Sequence, residues 1–272
     1  RRPRQWRRWR GGDGGDELFA GYWHYSWLQR TARWRALGPR WARRAFSRTV
    51  AALAPVGTRG RTYAIGAGGS EADAIAHVDM YFDVAARRRL LSAPLREAAA
   101  RKAAPEATKA ALCQHEHSSV QQATRVDFST YMVDDILAKV DRASMLTSLE
   151  VRAPWLDHKI IEFAFGRVPD RLRATKTEGK ILPKRLGRKI LPSALNLDRK
   201  QGFSIPIDRW LRGDTGRFIE GVLADADPRL FSRDQISRMQ AGQRRGLANG
   251  KRLFALAMFE LWRREYRVAI PA

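Results

Sequence analysis

The sequence predicts a mainly α fold, and three observations carry that prediction. Apolar and aromatic residues recur at helical spacing through most segments. Helix starts and stops punctuate the chain, among them Gly38-Pro39, Ser70 and Leu191-Pro192. No good run of strands is visible. The one strand expected is an apolar one just before Gly11, where the basic stretch 1–10 stands instead.

The elements follow in order. Residues 16–37 carry Leu18, Phe19, Tyr22, Trp23, Trp27 and Trp34 at helical intervals, and Gly38-Pro39 ends that helix. A basic helix is expected over 41–53, then a glycine-rich loop over 55–69 with no phosphate-loop signature. Ser70-Glu71-Ala72-Asp73 combines an N-cap with acidic first-turn residues and opens a helix to about residue 89. Alanine-rich helices follow over 94–113. Residues 126–151 read as one long helix through Phe128, Tyr131, Met132, Ile136, Leu137, Val140, Met145 and Leu149. On it Asp134, Ala138, Asp141 and Met145 share a stripe, which gives two carboxylates apolar company and calls for a cation or donor to meet them. Asp135, Lys139 and Arg142 fall at ion-pair spacing on a helix surface. The segment 153–158 breaks the helix, and Asp157 caps the next one over 159–165. A polar turn at 176–179 precedes a helix over 180–190, with Pro183 confined to the first turn or kinking it. After a basic loop over 196–207, helices around 217–223, 233–244 and 252–264 close the chain.

Composition sets bounds on function. With 272 residues, 44% of them apolar, the chain suffices for one large or two modest domains. It has no apolar run of about eighteen residues, so no transmembrane span is expected, and the basic N-terminus is not followed by a signal-peptide apolar region. The single cysteine, Cys113, excludes an internal disulfide and fits the reducing cytoplasm. The formal charge of +23 suits nucleic acid, an anionic membrane face or a phosphate-rich substrate. Beyond residue 10, however, the arginines are dispersed rather than gathered in one block, which favours general arginine abundance. His115 and His117 flank Glu116, but alternate residues of a helix do not face one another and zinc-ligand spacing is absent.

Residues 1–10, with Trp6 and Trp9 among six arginines, read as neither strand nor helix. Two readings compete. The stretch is an out-of-frame remnant, because tryptophan and arginine codons arise from GC-rich valine and alanine codons read out of phase; resequencing the coding DNA decides this. Otherwise it is an aromatic-interleaved arm for nucleic acid.

The stretch Gly11-Gly12-Asp13-Gly14-Gly15-Asp16-Glu17-Leu18-Phe19-Ala20-Gly21-Tyr22 carries the clearest chemistry. Its glycines permit close backbone approach to a ligand. A helix starting near Asp16 turns its free N–H groups and positive dipole end toward the loop. Backbone can then hold an anion while carboxylates hold a divalent cation. Taken alone, the stretch is equally a surface turn with an acidic cap.

This loop, Asp134-Asp135-Ile136-Leu137-Ala138-Lys139-Val140-Asp141-Arg142-Ala143-Ser144-Met145, Ser148-Leu149-Glu150-Val151-Arg152-Ala153-Pro154-Trp155-Leu156-Asp157-His158 and Arg199-Lys200-Gln201-Gly202-Phe203-Ser204-Ile205-Pro206 occur in that order. Together they resemble the synthetase domain of the asparagine synthetase (glutamine-hydrolysing) family, most strongly the asparagine-synthetase-like amidotransferases of polysaccharide gene clusters. The resemblance runs from Gly11 to about Tyr266. It implies the C-terminal part of an α/β adenine-nucleotide α-hydrolase-like (ATP pyrophosphatase) domain. It also implies ATP-dependent activation of the aspartate side-chain carboxylate as a β-aspartyl-adenylate, which ammonia from glutamine then attacks. ATP and Mg²⁺ are the implied cofactors. By resemblance Gly11 and Gly12 lie against the nucleotide, Asp16 is a Mg²⁺ ligand, and Asp13 stands near the acyl-adenylate and the incoming amine. Asp141 is an acidic partner of that site, and Lys200 stabilises charge as the adenylate forms.

The sequence also departs from the family. Asp13 stands where many members have glutamate, Gly11 where a serine is usual, and neither an N-terminal cysteine nor a Ser-Gly-Gly-x-Asp-Ser pyrophosphate loop occurs. The expectation is a truncated synthetase domain, with residues 1–10 an aberrant arm and 11–272 the C-terminal portion. It would depend on a glutaminase domain elsewhere, be nearly inactive alone, and aggregate or form a homo-oligomer through exposed apolar surface. Two other classes compete with it: a basic nucleic-acid-binding protein, and a non-catalytic remnant or scaffold.

Overall fold

The computed structural model describes residues 7–114, 116–198 and 205–270. In chain order, β1 (Arg7–Arg10) precedes α1 (Gly15–Leu18), α2 (Trp23–Leu37), α3 (Arg40–Leu53), α4 (Arg61–Ala67), α5 (Glu71–His77), α6 (Val84–Leu90), α7 (Ala93–Ala100), α8 (Pro105–Ala111) and α9 (Ser119–Ser129). A π-helical turn (Met132–Leu137), α10 (Ala138–Met145), β2 (Leu149–Arg152) and a 3-10 turn (Pro154–Leu156) follow. The chain then continues through α11 (His158–Arg167), α12 (Asp170–Arg173), α13 (Ile181–Ile190), α14 (Ile207–Trp210), α15 (Asp214–Ala224), α16 (Arg233–Arg244) and α17 (Gly250–Glu265). The molecule is mostly helical, as expected. None of the described helices is long and apolar enough to cross a membrane. Two compact units emerge, each built from two stretches of chain: 1–37 with 109–201, and 38–108 with 202–272.

The first unit contains the two described strands. β1 pairs in parallel with β2, Arg7 opposite Leu149 and Arg10 opposite Arg152, and the Gly11 N–H donates to the Arg152 carbonyl at 2.7 Å. Residues 7–10 are therefore a strand, contrary to the expectation of neither strand nor helix. Pairing, rather than their own propensity, sets their conformation. In the same unit Leu18, Phe19, Ala164 and Val168 form a core, with Phe128, Trp155, Phe165 and Leu182 packed against it. On α2 Tyr25 and Leu28 are buried, as are Val120, Ala123 and Val126 on α9.

The long helix expected over 126–151 is three elements. α9 ends at Ser129, a π-helical turn follows, and α10 stops at Met145. Ser148 adopts a left-handed conformation (φ 54°), after which the chain becomes β2. Strand pairing with β1 thus overrides the helical spacing of Leu149 and Val151. The π-helical turn also breaks the 3.6-residue period that placed Asp134 and Asp141 on one stripe. Both carboxylates are exposed, so neither has the partly buried surroundings inferred from that stripe.

The second unit is built on Leu90, Ile219, Leu223, Phe231, Met239, Leu253 and Leu256. Ser70 and Asp73 form the capping box read from the sequence, with the Asp73 N–H donating to Ser70 Oγ at 3.1 Å and the Ser70 N–H to Asp73 Oδ2 at 2.7 Å. The helix they open ends at His77. Asp79 is left-handed (φ 62°), and Asp83 caps a new helix by accepting from the Ala85 and Ala86 N–H groups. The loop expected over 55–69 contains α4, entered through left-handed Gly60 (φ 79°). Arg61, at the start of α4, is buried against Asp83 and donates to the carbonyls of Ala51 and Ala54 at the end of α3. Burial, reinforced by repulsion from Arg89 and Arg252, lowers its pKa to about 10.

Candidate functional site

The glycine loop leaves β1 and enters α1 beneath the turn that follows β2. Gly14 has φ 89°, and a Cβ there would lie 2.5 Å from Leu156 Cδ2, so both conformation and space require glycine. Gly15 sits against the Trp155 ring, and Trp155 meets Phe19 edge-on at 5.3 Å. The Ala153–His158 segment, read from sequence as a helix breaker, thus covers the loop.

Within the loop, Asp13 folds back over Gly11: a Cβ on Gly11 would come within 2.6 Å of Asp13 Oδ2 and 3.1 Å of Val151 Cγ1. At Gly11, then, a side chain would have to displace the Asp13 carboxylate. Gly12 is exposed and has open space where a Cβ would be.

Asp16 lies in the first turn of α1. Its Oδ2 pairs with Lys180 Nζ at 3.0 Å, both side chains about one-third exposed. Lys180 precedes α13 in a left-handed conformation (φ 56°), and its own N–H donates to the Phe19 carbonyl at 3.0 Å. Backbone and side chain of Lys180 therefore both grip the end of the loop segment. Gly21 completes the junction: its N–H donates to the Asp16 carbonyl at 2.8 Å, and a Cβ there would collide with the Asp16 carboxylate and the Lys180 side chain. A single-residue left-handed conformation at lysine costs about 1 kcal/mol, so this junction holds against local strain.

A buried layer supports the loop from beneath. Glu17 is only 1% exposed and accepts from the Tyr22 hydroxyl at 2.6 Å. Burial raises the Glu17 pKa above the ordinary 4.5, although the Tyr22 hydrogen bond opposes the shift. Burial and the Glu17 contact push the Tyr22 hydroxyl up as well. Beside them Asp127 Oδ2 accepts from the Tyr25 hydroxyl at 2.7 Å and meets His24 Nε2 at 2.8 Å. Tyr22 stacks on His24 with ring centroids 5.5 Å apart.

Of the residues singled out from sequence, Gly11, Gly12 and Asp13 lie in one loop and Asp16 in the short helix α1 that follows it. Asp141 is exposed on α10, and no hydrogen bond or ion pair among the described residues links it to that loop. Lys200, His115 and the rest of the basic loop over 199–204 lie outside the described residues. Lys180 and the Glu17–Tyr22 pair were not singled out. The Gly179-Lys180 step before an apolar helical run was the available signal for Lys180, since glycine so placed often marks a close approach. Here a Cβ on Gly179 would strike the Ala20 carbonyl.

The arrangement is that of a helix-rich protein in which a glycine loop links a strand to a short helix, with a carboxylate–ammonium pair at its edge. The chain belongs to the asparagine synthase family, whose model matches residues 11–264. It is 26% identical over 148 residues to asparagine synthetase [glutamine-hydrolyzing] 1 of Bacillus subtilis (strain 168), a match covering 54% of this chain and 23% of that protein. It is 31% identical over 148 residues to a protein of Mycobacterium tuberculosis (strain ATCC 25618 / H37Rv) that also carries an asparagine synthetase [glutamine-hydrolyzing] name, covering 53% of this chain and 22% of that one. The matched segment thus spans under a quarter of each relative. No solved structure matches the chain.

Proposed function

We propose that the chain carries the acyl-adenylate side of an ATP-dependent, amide-forming ligase site. The carboxylate of aspartate, or of a related compound, is activated as an adenylate with loss of pyrophosphate, and ammonia derived from glutamine displaces AMP. The observation that carries this reading is the Asp16–Lys180 pair built onto the glycine loop of an asparagine synthase family member.

The residues are chemically suited to Mg²⁺ and ATP. Mg²⁺ takes oxygen ligands and is commonly held by one or two carboxylates plus substrate phosphates, and the loop offers Asp16 with an ammonium at its side. Bound Mg²⁺ would neutralise phosphate charge and orient the nucleotide. Asp16 would hold the ion, while Lys180 fixes the Asp16 carboxylate and adds a positive charge where phosphate arrives. Open space at Gly12 lets ligand approach the backbone directly. Asp13, beside Gly11, would accept a proton from the attacking amine. Asp141 and Lys200 keep the acidic-partner and charge-stabilising roles implied by resemblance. Trp155 and Leu156 shield the loop from water on one side.

The test is thermal stabilisation by a non-hydrolysable β-aspartyl-adenylate analogue with Mg²⁺. The wild-type chain should gain melting temperature in proportion to the logarithm of analogue concentration. Asp16→Asn and Lys200→Met should lose that gain. No stabilisation of the wild type, or an undiminished gain in both variants, would refute the proposal.

A further inference from the structure

The second unit contains a groove that the ligase reading leaves unused. An antiparallel bridge joins Leu91 to Phe231, with the Ser92 N–H donating to the Leu230 carbonyl at 3.0 Å and the Ser232 N–H to the Leu90 carbonyl at 2.7 Å. The bridge sets the first residues of α7 and α16 side by side. Ser92 caps α7 by accepting from the Leu95 N–H, and Ser232 caps α16 by accepting from the Gln235 N–H. Both helix starts open on a groove of about 420 Å³.

Charge distinguishes this groove. Four arginines line it, Arg88, Arg89, Arg96 and Arg238, against one carboxylate, Asp234. Asp234 is already matched by Arg238 at 2.9 Å. Arg89 donates to the Ala51 carbonyl at 2.8 Å and Arg96 to the Arg88 carbonyl at 3.5 Å. Those contacts orient the guanidinium groups without neutralising them, and no carboxylate among the described residues pairs with Arg88, Arg89 or Arg96. Three like charges around one concavity repel until an anion joins them. Guanidinium forks match phosphate oxygens in bidentate fashion.

We infer that this groove binds a small polyanion bearing two or more phosphate groups. Its volume lies in the range of small-molecule sites and exceeds what a single ion fills. Three guanidinium groups with no carboxylate partner among the described residues, of which Arg89 and Arg96 each commit one nitrogen to a carbonyl, still supply more donors than one phosphate can accept. Free polyphosphate and the phosphate tail of a nucleotide share this chemistry.

The experiment is calorimetric titration of the full chain with inorganic tripolyphosphate, and separately with ATP, both without Mg²⁺. The groove variant is Arg88→Gln/Arg96→Gln. The control is Arg44→Gln/Arg48→Gln on α3, whose residues are exposed and do not line the groove. Binding of either probe that the groove variant weakens roughly tenfold or more, with the Arg44→Gln/Arg48→Gln control within about twofold of wild type, is the expected result. Loss for tripolyphosphate points to a free polyphosphate, and loss for ATP alone to a nucleotide. Equal weakening in both arginine variants would mean diffuse charge attraction and overturn the inference. So would absence of binding at millimolar concentration, or a groove variant that binds as wild type. Circular dichroism of each variant confirms that its fold is retained.

Discussion

At the scale of single residues, the candidate site depends on contacts that are local in space and distant in sequence. Asp13 and Asp16 were legible because glycines and carboxylates alternate within one short stretch. Lys180 was not, because it reaches Asp16 from a different part of the chain and pattern reading cannot supply that contact. Glu17 was hidden for another reason: an acidic residue in the first turn of a helix reads as a dipole partner, whereas here it is buried beneath the loop. Its burial has a pH signature. The folded state holds the Glu17 proton more tightly than the unfolded chain does, so stability from this group is complete below the ordinary value of 4.5. It is lost as pH rises through the elevated folded value. Glu17→Gln retains an acceptor for the Tyr22 hydroxyl and cannot ionise. Melting curves across pH should show the variant matching wild type in acid and gaining on it above pH 4.5. Parallel curves would show that Glu17 does not titrate in this way.

At the scale of elements, helices marked by their own caps were readable. Ser70 with Asp73, Asp157 before α11 and the 233–244 helix lie where sequence placed them, because their signals are local. Elements set by partners were not: β1 and β2 each depend on the other, and the left-handed residues at Asp79 and Ser148 that end helical runs leave no mark in an apolar pattern. Arg173 shows how the elements of the first unit are joined. It is fully buried, and its guanidinium donates to the carbonyls of Leu18 at 2.5 Å, Val168 at 3.2 Å and Ala164. These tie the end of α1 to the C-terminal half of α11, where helix carbonyls lack intrahelical partners. Burial lowers its pKa to about 10, so the charge persists at neutral pH. Arg173→Met would keep much of the volume but strand those carbonyls. A loss of about 3 kcal/mol or more in denaturant melts is expected. A loss under about 1 kcal/mol would mean that packing alone joins α1 to α11.

At the scale of the whole molecule, the charge of +23 is partly structural. Arg61 and Arg173 are buried, closing helix ends, and Arg87, Arg263 and Arg264 pair with Glu106 and Glu260. Dispersed arginines in the sequence became helix-end and ion-pair arginines in the fold, while the groove between α7 and α16 sets Arg238 beside Arg88, Arg89 and Arg96, which are near one another in sequence. Apolar surface remains in the first unit, with Val133 exposed on the π-helical turn and Met145 and Leu146 at the end of α10. The family and the glycine loop were legible from contiguous motifs. The division into two units was not, because each unit joins stretches far apart in the chain.

The central claim is that Lys180 and Asp16 act as one ligand-binding pair, and calorimetry on Lys180→Met tests it most directly. The pair is partly exposed, so its removal should cost under about 1 kcal/mol of stability. Affinity for the β-aspartyl-adenylate analogue with Mg²⁺ should nevertheless fall about tenfold or more, because a positive charge next to the phosphate is lost. Unchanged affinity in a folded Lys180→Met variant would contradict the account.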